Sequence, residues 1–164
     1  FMLASPLQLA NATASLSQHG RRYRPHLLKN YQKDSGKLHI YKIFEEYPIH
    51  LKSKTWQLVI DGMRDVIKKR EGTGHRFGRD ATYSVAAKTG TAQVFSLSQD
   101  EKKRNQSRDE DMPEALRDHS LFIAFAPIEK PEIAVAILVE HDPSAPQVAR
   151  QIMDAYFDLK QAKV

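Results

Sequence analysis

The sequence predicts an α+β architecture, an antiparallel sheet sandwiched by helices, and three observations carry that prediction. Runs near 82–95, 121–126 and 133–140 are apolar on both faces at their centres, as strands covered from both sides must be. Pro127-Ile128-Glu129-Lys130-Pro131 is short enough to join the last two as an antiparallel pair. Three further segments carry helix-start signals or the 3.6-residue spacing of an apolar helical face.

In chain order, Ser5, Pro6 and Gln8 form a helix start with an N-cap, a proline at the first position and a capping-box partner, and Gly20 forms the stop. The first helix is therefore expected over Pro6 to His19. Residues Tyr23 to Leu28 and Leu38 to Phe44 read as two short strands joined across Asp34-Ser35-Gly36, a small hairpin. Ser53 is expected to cap a second helix that ends before Gly72. Its Trp56, Ile60, Met63 and Ile67 fall on one face, and such a stripe is core packing rather than a cofactor box.

The motif strand, about Thr82 to Phe95, is followed by a polar excursion over 96–118. The stretch from Asp100 to Asp111 is too charged to bury, so it reads as a surface loop whose roots border the end of that strand. Strands near Leu121 to Ala126 and Ile133 to Glu140 come next. The final helix, about Ser144 to Leu159, is expected to present Val148, Ile152, Tyr156 and Leu159 to the sheet.

A chain of 164 residues with 41% hydrophobic content supports one compact domain or lobe. It has no cysteine, which excludes a disulfide framework and thiolate metal sites, and no apolar run near the roughly 20 residues that span a bilayer. Any membrane anchor is expected outside this segment. The net charge of +5 gathers partly at Arg21, Arg22 and Arg24, and at Lys68, Lys69 and Arg70 with His75, Arg76 and Arg79 behind them. Aromatics are only 9% and no nucleic-acid motif occurs, so no nucleic-acid partner is expected. The second cluster sits where cations favour a helix C-terminus. A solvated surface is the reading adopted, with anionic cell-wall polymer or lipid headgroups as the functional alternative.

The seven histidines are scattered without His-x-x-x-His or His-Glu-x-x-His spacing, so no metal site or cofactor is expected. Glu140-His141-Asp142 reads as a solvated turn, and His119 as a structural hydrogen-bonding group rather than a general base.

Chemistry concentrates in Ala87-Lys88-Thr89-Gly90-Thr91-Ala92-Gln93-Val94-Phe95. On a strand, Lys88 and Gly90 share one face while Thr89 and Thr91 share the other. Lys88 offers a compact charge and three donors, suited to organising a hydroxyl nucleophile or a base. The threonine hydroxyls can donate to a substrate carboxylate, and the Thr91 N–H is a candidate oxyanion donor. Gly90, lacking Cβ, lets a peptide-like substrate pair closely with the backbone as an added strand. A Lys-Thr-Gly triplet alone is common enough to occur by chance, so its surroundings decide its meaning.

The segment from Ser84 to Phe95, followed by Leu116-Arg117-Asp118-His119-Ser120-Leu121-Phe122-Ile123-Ala124-Phe125-Ala126-Pro127, resembles the transpeptidase domain of class B penicillin-binding proteins. The elongation-type branch is the nearest likeness. Matching pieces are Ser5-Pro6-Leu7-Gln8-Leu9-Ala10, the Gly72-Thr73-Gly74 turn, and Glu132 to Glu140, so the resemblance covers almost the whole chain. It departs at Glu140-His141-Asp142-Pro143, where relatives often carry glycines, and in details of the charged loop.

That resemblance implies the fold of the penicillin-binding-protein and serine β-lactamase class, and a parent that is a serine D,D-transpeptidase of peptidoglycan. Its implied partners are the D-Ala-D-Ala stem peptide, β-lactams, and membrane-embedded proteins of cell elongation. Its implied location is the periplasmic face of the bacterial inner membrane. The catalytic role falls on Lys88 and substrate binding on Thr89, Gly90 and Thr91. The family also uses Ser-x-x-Lys and Ser-x-Asn, and neither spacing occurs here. The chain therefore reads as the C-terminal portion of a single transpeptidase domain, inert by itself. A serine β-lactamase, a β-lactam sensor of the same fold and a non-enzymatic basic binding module are the competing readings.

Overall fold

The computed structural model describes residues 3–34, 36–94 and 113–162. Its first helix, α1 (Pro6–Ser17), has the predicted start: the Gln8 N–H donates to Ser5 Oγ at 3.3 Å and the Ser5 N–H to Gln8 Oε1 at 2.7 Å. His19 (φ 53°) and Gly20 (φ 91°) then carry the chain out of the helix, two residues earlier than the sequence suggests.

The predicted hairpin region forms two small antiparallel pairs. Strand β1 (Arg22–Tyr23) pairs with β4 (Glu45–Glu46), and β2 (Asn30–Gln32) with β3 (Leu38–Ile40). The expected strands over Tyr23 to Leu28 and Leu38 to Phe44 are corrected accordingly. Pro25 has no N–H to donate to a ladder, and extended pairing resumes only at Asn30. Arg21 pairs with Glu45 and Arg22 with Glu46, each at 3.1 Å, so part of the first basic cluster is locally neutralised.

Helix α2 (Ser53–Lys68) buries Trp56, Ile60, Met63 and Ile67 as predicted. Its N-cap is Lys52, not Ser53; Ser53 is already the first helical residue and makes no capping bond. Lys69, at the other end, pairs with Asp65 at 2.8 Å. A one-turn helix, α3 (His75–Gly78), leads to β5 (Ala86–Ala92), shorter than the strand predicted over Thr82 to Phe95; Phe95 lies outside the described residues. The tip of the charged 96–118 loop also lies outside them. A single 3-10 turn at Glu114–Leu116 precedes β6 (His119–Ala126), β7 (Ile133–Val139) and the last helix, α4 (Ala145–Gln161).

The main sheet has the order β5-β6-β7, antiparallel throughout. Its two faces form two cores, as alternation requires. On one, Ala87, Phe122, Ala124, Ala126 and Val135 pack against Phe77 and α4; on the other, Ala86 and Phe125 pack against Ile60 and Met63, with Leu16 of α1 beside them. Helices thus cover both faces.

Helix α4 is turned relative to the expected orientation. Its buried line is Ala145, Ala149 and Met153, all 0% exposed; of the four residues expected there, Val148 is half-buried, whereas Ile152, Tyr156 and Leu159 are exposed. Two alanines one turn apart let the helix lie close against the strands, and Met153 fills the space beyond them.

Candidate functional site around the edge strand

Burial along β5 stops abruptly. Val85, Ala86 and Ala87 are buried between Ile60 and Met63 on one face and Ile67 on the other, but Lys88, Gly90 and Thr91 are exposed and Thr89 is half-buried. Helix α2 covers the start of the strand and leaves the rest open. Among the described residues no strand pairs with the outer side of β5, so its free backbone groups form an edge able to accept an extended chain.

The register fixes which way each side chain faces. Lys88 sits opposite Ile123 and Gly90 opposite Leu121, while Thr89 sits opposite Phe122 and Thr91 opposite Ser120. The two predicted pairs therefore lie on opposite faces of the strand. Lys88 Nζ donates to the carbonyl of Thr89 at 2.6 Å, and Thr89 Oγ1 lies 2.7 Å from Thr73 Oγ1. Gly90 has a packing role beside any role in access: a Cβ there would stand 3.3 Å from Leu121 Cβ, tight enough to push on the neighbouring strand.

Thr73 belongs to the Gly72-Thr73-Gly74 turn, which is pressed onto α2. The Gly74 N–H donates to Val66 O at 3.1 Å, a Cβ at Gly72 would lie 2.2 Å from Val66 O, and one at Gly74 would lie 2.7 Å from Ile67 Cδ1. Thr73 is thus the one side chain in a turn where Gly72 lies against the Val66 backbone and Gly74 against the Ile67 side chain. The sequence marked this turn only as part of a resemblance; the signal for a role was that lone hydroxyl between two glycines.

The described roots of the charged loop are close to the triplet. Ala92 pairs with His119, one position past Thr91, and Asp118 Oδ1 accepts from the Val94 N–H at 3.3 Å. Behind them, the His141 N–H donates to His119 Nδ1 at 3.1 Å, and His141 Nδ1 donates to Arg117 O at 2.9 Å. Ser120 Oγ donates to Asp142 O at 2.6 Å and accepts from the Ala145 N–H at 3.1 Å, joining β6 to the start of α4. Hydrogen bonds from Ser144 hold the Asp142 carboxyl below the ordinary range. These groups serve the turn's own backbone, and the described residues contain no cluster of three metal-ligating side chains.

The family model for the penicillin-binding protein transpeptidase domain matches residues 2–157. The chain belongs to that family. Among curated relatives, the peptidoglycan D,D-transpeptidase MrdA of Salmonella typhimurium is 36% identical over 166 residues, covering 96% of this chain and 26% of that protein. MrdA of Haemophilus influenzae is 35% identical over 170 residues, covering 100% of this chain and 25% of that one. The chain therefore spans about a quarter of the length of those relatives. Of solved structures, penicillin-binding protein 2 of Pseudomonas aeruginosa, in complex with WCK 5153, is 34% identical with a TM-score of 0.67 over 93% of this chain and 30% of that one. Penicillin-binding protein 2 of Helicobacter pylori, in complex with MreC, is 26% identical with a TM-score of 0.69 over 95% of this chain and 25% of that one. The antiparallel sheet between helices is the fold of these transpeptidase domains.

Proposed function

We propose that this chain is the C-terminal portion of a serine D,D-transpeptidase domain that cross-links peptidoglycan, of the elongation type, and that it supplies the Lys-Thr-Gly wall of the active site. The observation that carries the reading is the emergence of β5 at Lys88 as an open sheet edge within a chain of this family. A stem peptide ending in D-Ala-D-Ala would lie along that edge as an added strand. The nucleophilic serine comes from residues other than these 164, which contain no Ser-x-x-Lys.

In this reading the serine attacks the penultimate D-Ala carbonyl, D-Ala leaves, and an amine of a second stem peptide takes the acyl group; a β-lactam acylates the same serine. Lys88 supplies positive charge and donors to the nucleophile's network. Thr89 and Thr91 donate to the terminal carboxylate, and the Thr91 N–H donates to the developing oxyanion. In this reading the working location is the periplasmic face of the inner membrane; no described helix is long and apolar enough to cross a membrane.

Labelling with a fluorescent penicillin tests this. A longer chain that includes the preceding segment is expected to label, this chain alone is not, and Lys88→Ala in the longer chain is expected to slow labelling about a hundredfold or more. Absence of labelling in a folded longer chain would overturn the assignment.

A further inference from the structure

The contact between Thr73 and Thr89 determines more than the position of a side chain. Each threonine hydroxyl has one proton and two acceptor lone pairs, so in a pair 2.7 Å apart one donates and the other accepts. Neither hydroxyl has another hydrogen-bond partner among the described residues. The direction of that one bond therefore decides what Thr89 shows to a ligand at the strand edge. If Thr89 donates to Thr73, it presents only lone pairs, which repel an anion. If Thr73 donates to Thr89, the Thr89 proton is left to point outward.

We propose that Thr73 is a positioning residue that donates to Thr89 Oγ1 and so turns the single Thr89 proton toward the carboxylate of a bound peptide or β-lactam. The inference rests on the transpeptidase reading of the same site. A carboxylate accepts only, so its arrival selects the Thr73-to-Thr89 direction, and a hydroxyl that is itself accepting becomes a stronger donor. The turn is suited to this because it cannot drift: Gly72 and Gly74 are seated on Val66 and Ile67 of α2, and α2 also packs on Ala86 at the start of β5. Thr73 and Thr89 are thus carried by elements packed on each other, and the two oxygens are held at hydrogen-bond distance before a ligand arrives. Such a device acts on carboxylate recognition; the bond-making step at the serine does not pass through it.

The test uses the longer chain that includes the preceding segment, and benzylpenicillin, with binding and acylation separated by single-turnover kinetics, and the penicillin methyl ester as a ligand lacking the charge. Thr73→Val is expected to weaken penicillin binding by up to about tenfold, the worth of one hydrogen bond between neutral hydroxyls, while the acylation rate constant at saturation changes little. Thr73→Ser restores binding, the ester, whose carbonyl is a weaker acceptor than a carboxylate, shows a smaller dependence on residue 73, and Thr73→Val adds nothing in a Thr89→Val background. Binding of penicillin unaffected by Thr73→Val, an equal loss with the ester, or additive losses in the double variant each overturn the proposal while leaving the transpeptidase reading intact. Failure of the unsubstituted longer chain to be acylated overturns both.

Discussion

The guanidinium of Arg150 donates to the Phe77 carbonyl at 2.6 Å and lies over the Phe77 ring, 5.9 Å from its centroid. The same group reaches the carbonyls of Arg79 at 2.7 Å and Asp80 at 3.2 Å, and pairs with Asp154 on its own helix at 2.7 Å. One side chain of α4 thus fixes the irregular segment that leads from α3 toward β5, including Asp80 at φ 59°. Arg150→Ala leaves three carbonyls and a carboxylate without that donor. We expect a loss of about 2–4 kcal/mol, seen as a lower denaturant midpoint at unchanged slope. Arg150→Lys keeps a charge beside Asp154 but not the planar fork, so it should recover only part of the loss.

The orientation of α4 makes a contrasting pair of variants. Met153 is fully buried, so Met153→Ala should cost about 2–5 kcal/mol through lost transfer energy and the cavity left behind. Ile152, its neighbour in sequence, is 43% exposed, and Ile152→Ala should cost less than about 1 kcal/mol. Reversal of that order in chemical denaturation would return the helix to the orientation expected from sequence.

Gly20 has two reasons to be glycine. Its φ is 91°, and a Cβ there would stand 2.1 Å from Ile49 O and 2.8 Å from Trp56 Cζ2. Gly20→Ala must therefore strain the backbone and displace the segment whose Ile49 N–H donates to Gly20 O at 2.9 Å. Destabilisation of more than about 2 kcal/mol is expected, with loss of Trp56 fluorescence ordering as the local reporter.

Tyr83 gives a pH dependence with a definite sign. Burial, reinforced by the 2.6 Å bond from its hydroxyl to Asp154 Oδ1 and by that carboxylate's charge, raises its pKa above the ordinary phenol value. Above about pH 10 an unfolded tyrosine releases its proton while the folded one retains it, so stability is whole below that pH and falls as pH climbs toward the folded value. Tyr83→Phe should cost about 1 kcal/mol near neutrality and flatten the alkaline decline, measured as unfolding midpoints between pH 8 and 11. An undiminished alkaline decline in the phenylalanine variant would remove Tyr83 as its cause.

What the sequence determined by itself was whatever depends on near neighbours. The Ser5 and Gln8 cap, the buried stripe from Trp56 to Ile67, the antiparallel return through 127–131 and the alternation of Lys88 with Thr89 all follow from backbone periodicity and hydrogen bonding over a few residues. The Lys-Thr-Gly triplet was legible for the same reason. Only the tertiary structure decided which side of α4 meets the sheet, because hydrophobicity marked Ile152 and Tyr156 while close approach required Ala145 and Ala149. Only it decided that burial ends at Ala87, that Gly90 faces Leu121, that Arg150 holds Phe77, and that Thr73 touches Thr89 sixteen positions away. Those contacts join segments distant in sequence, and their free energy is that of shape and of polar groups satisfied across a packed interface, which no local pattern encodes.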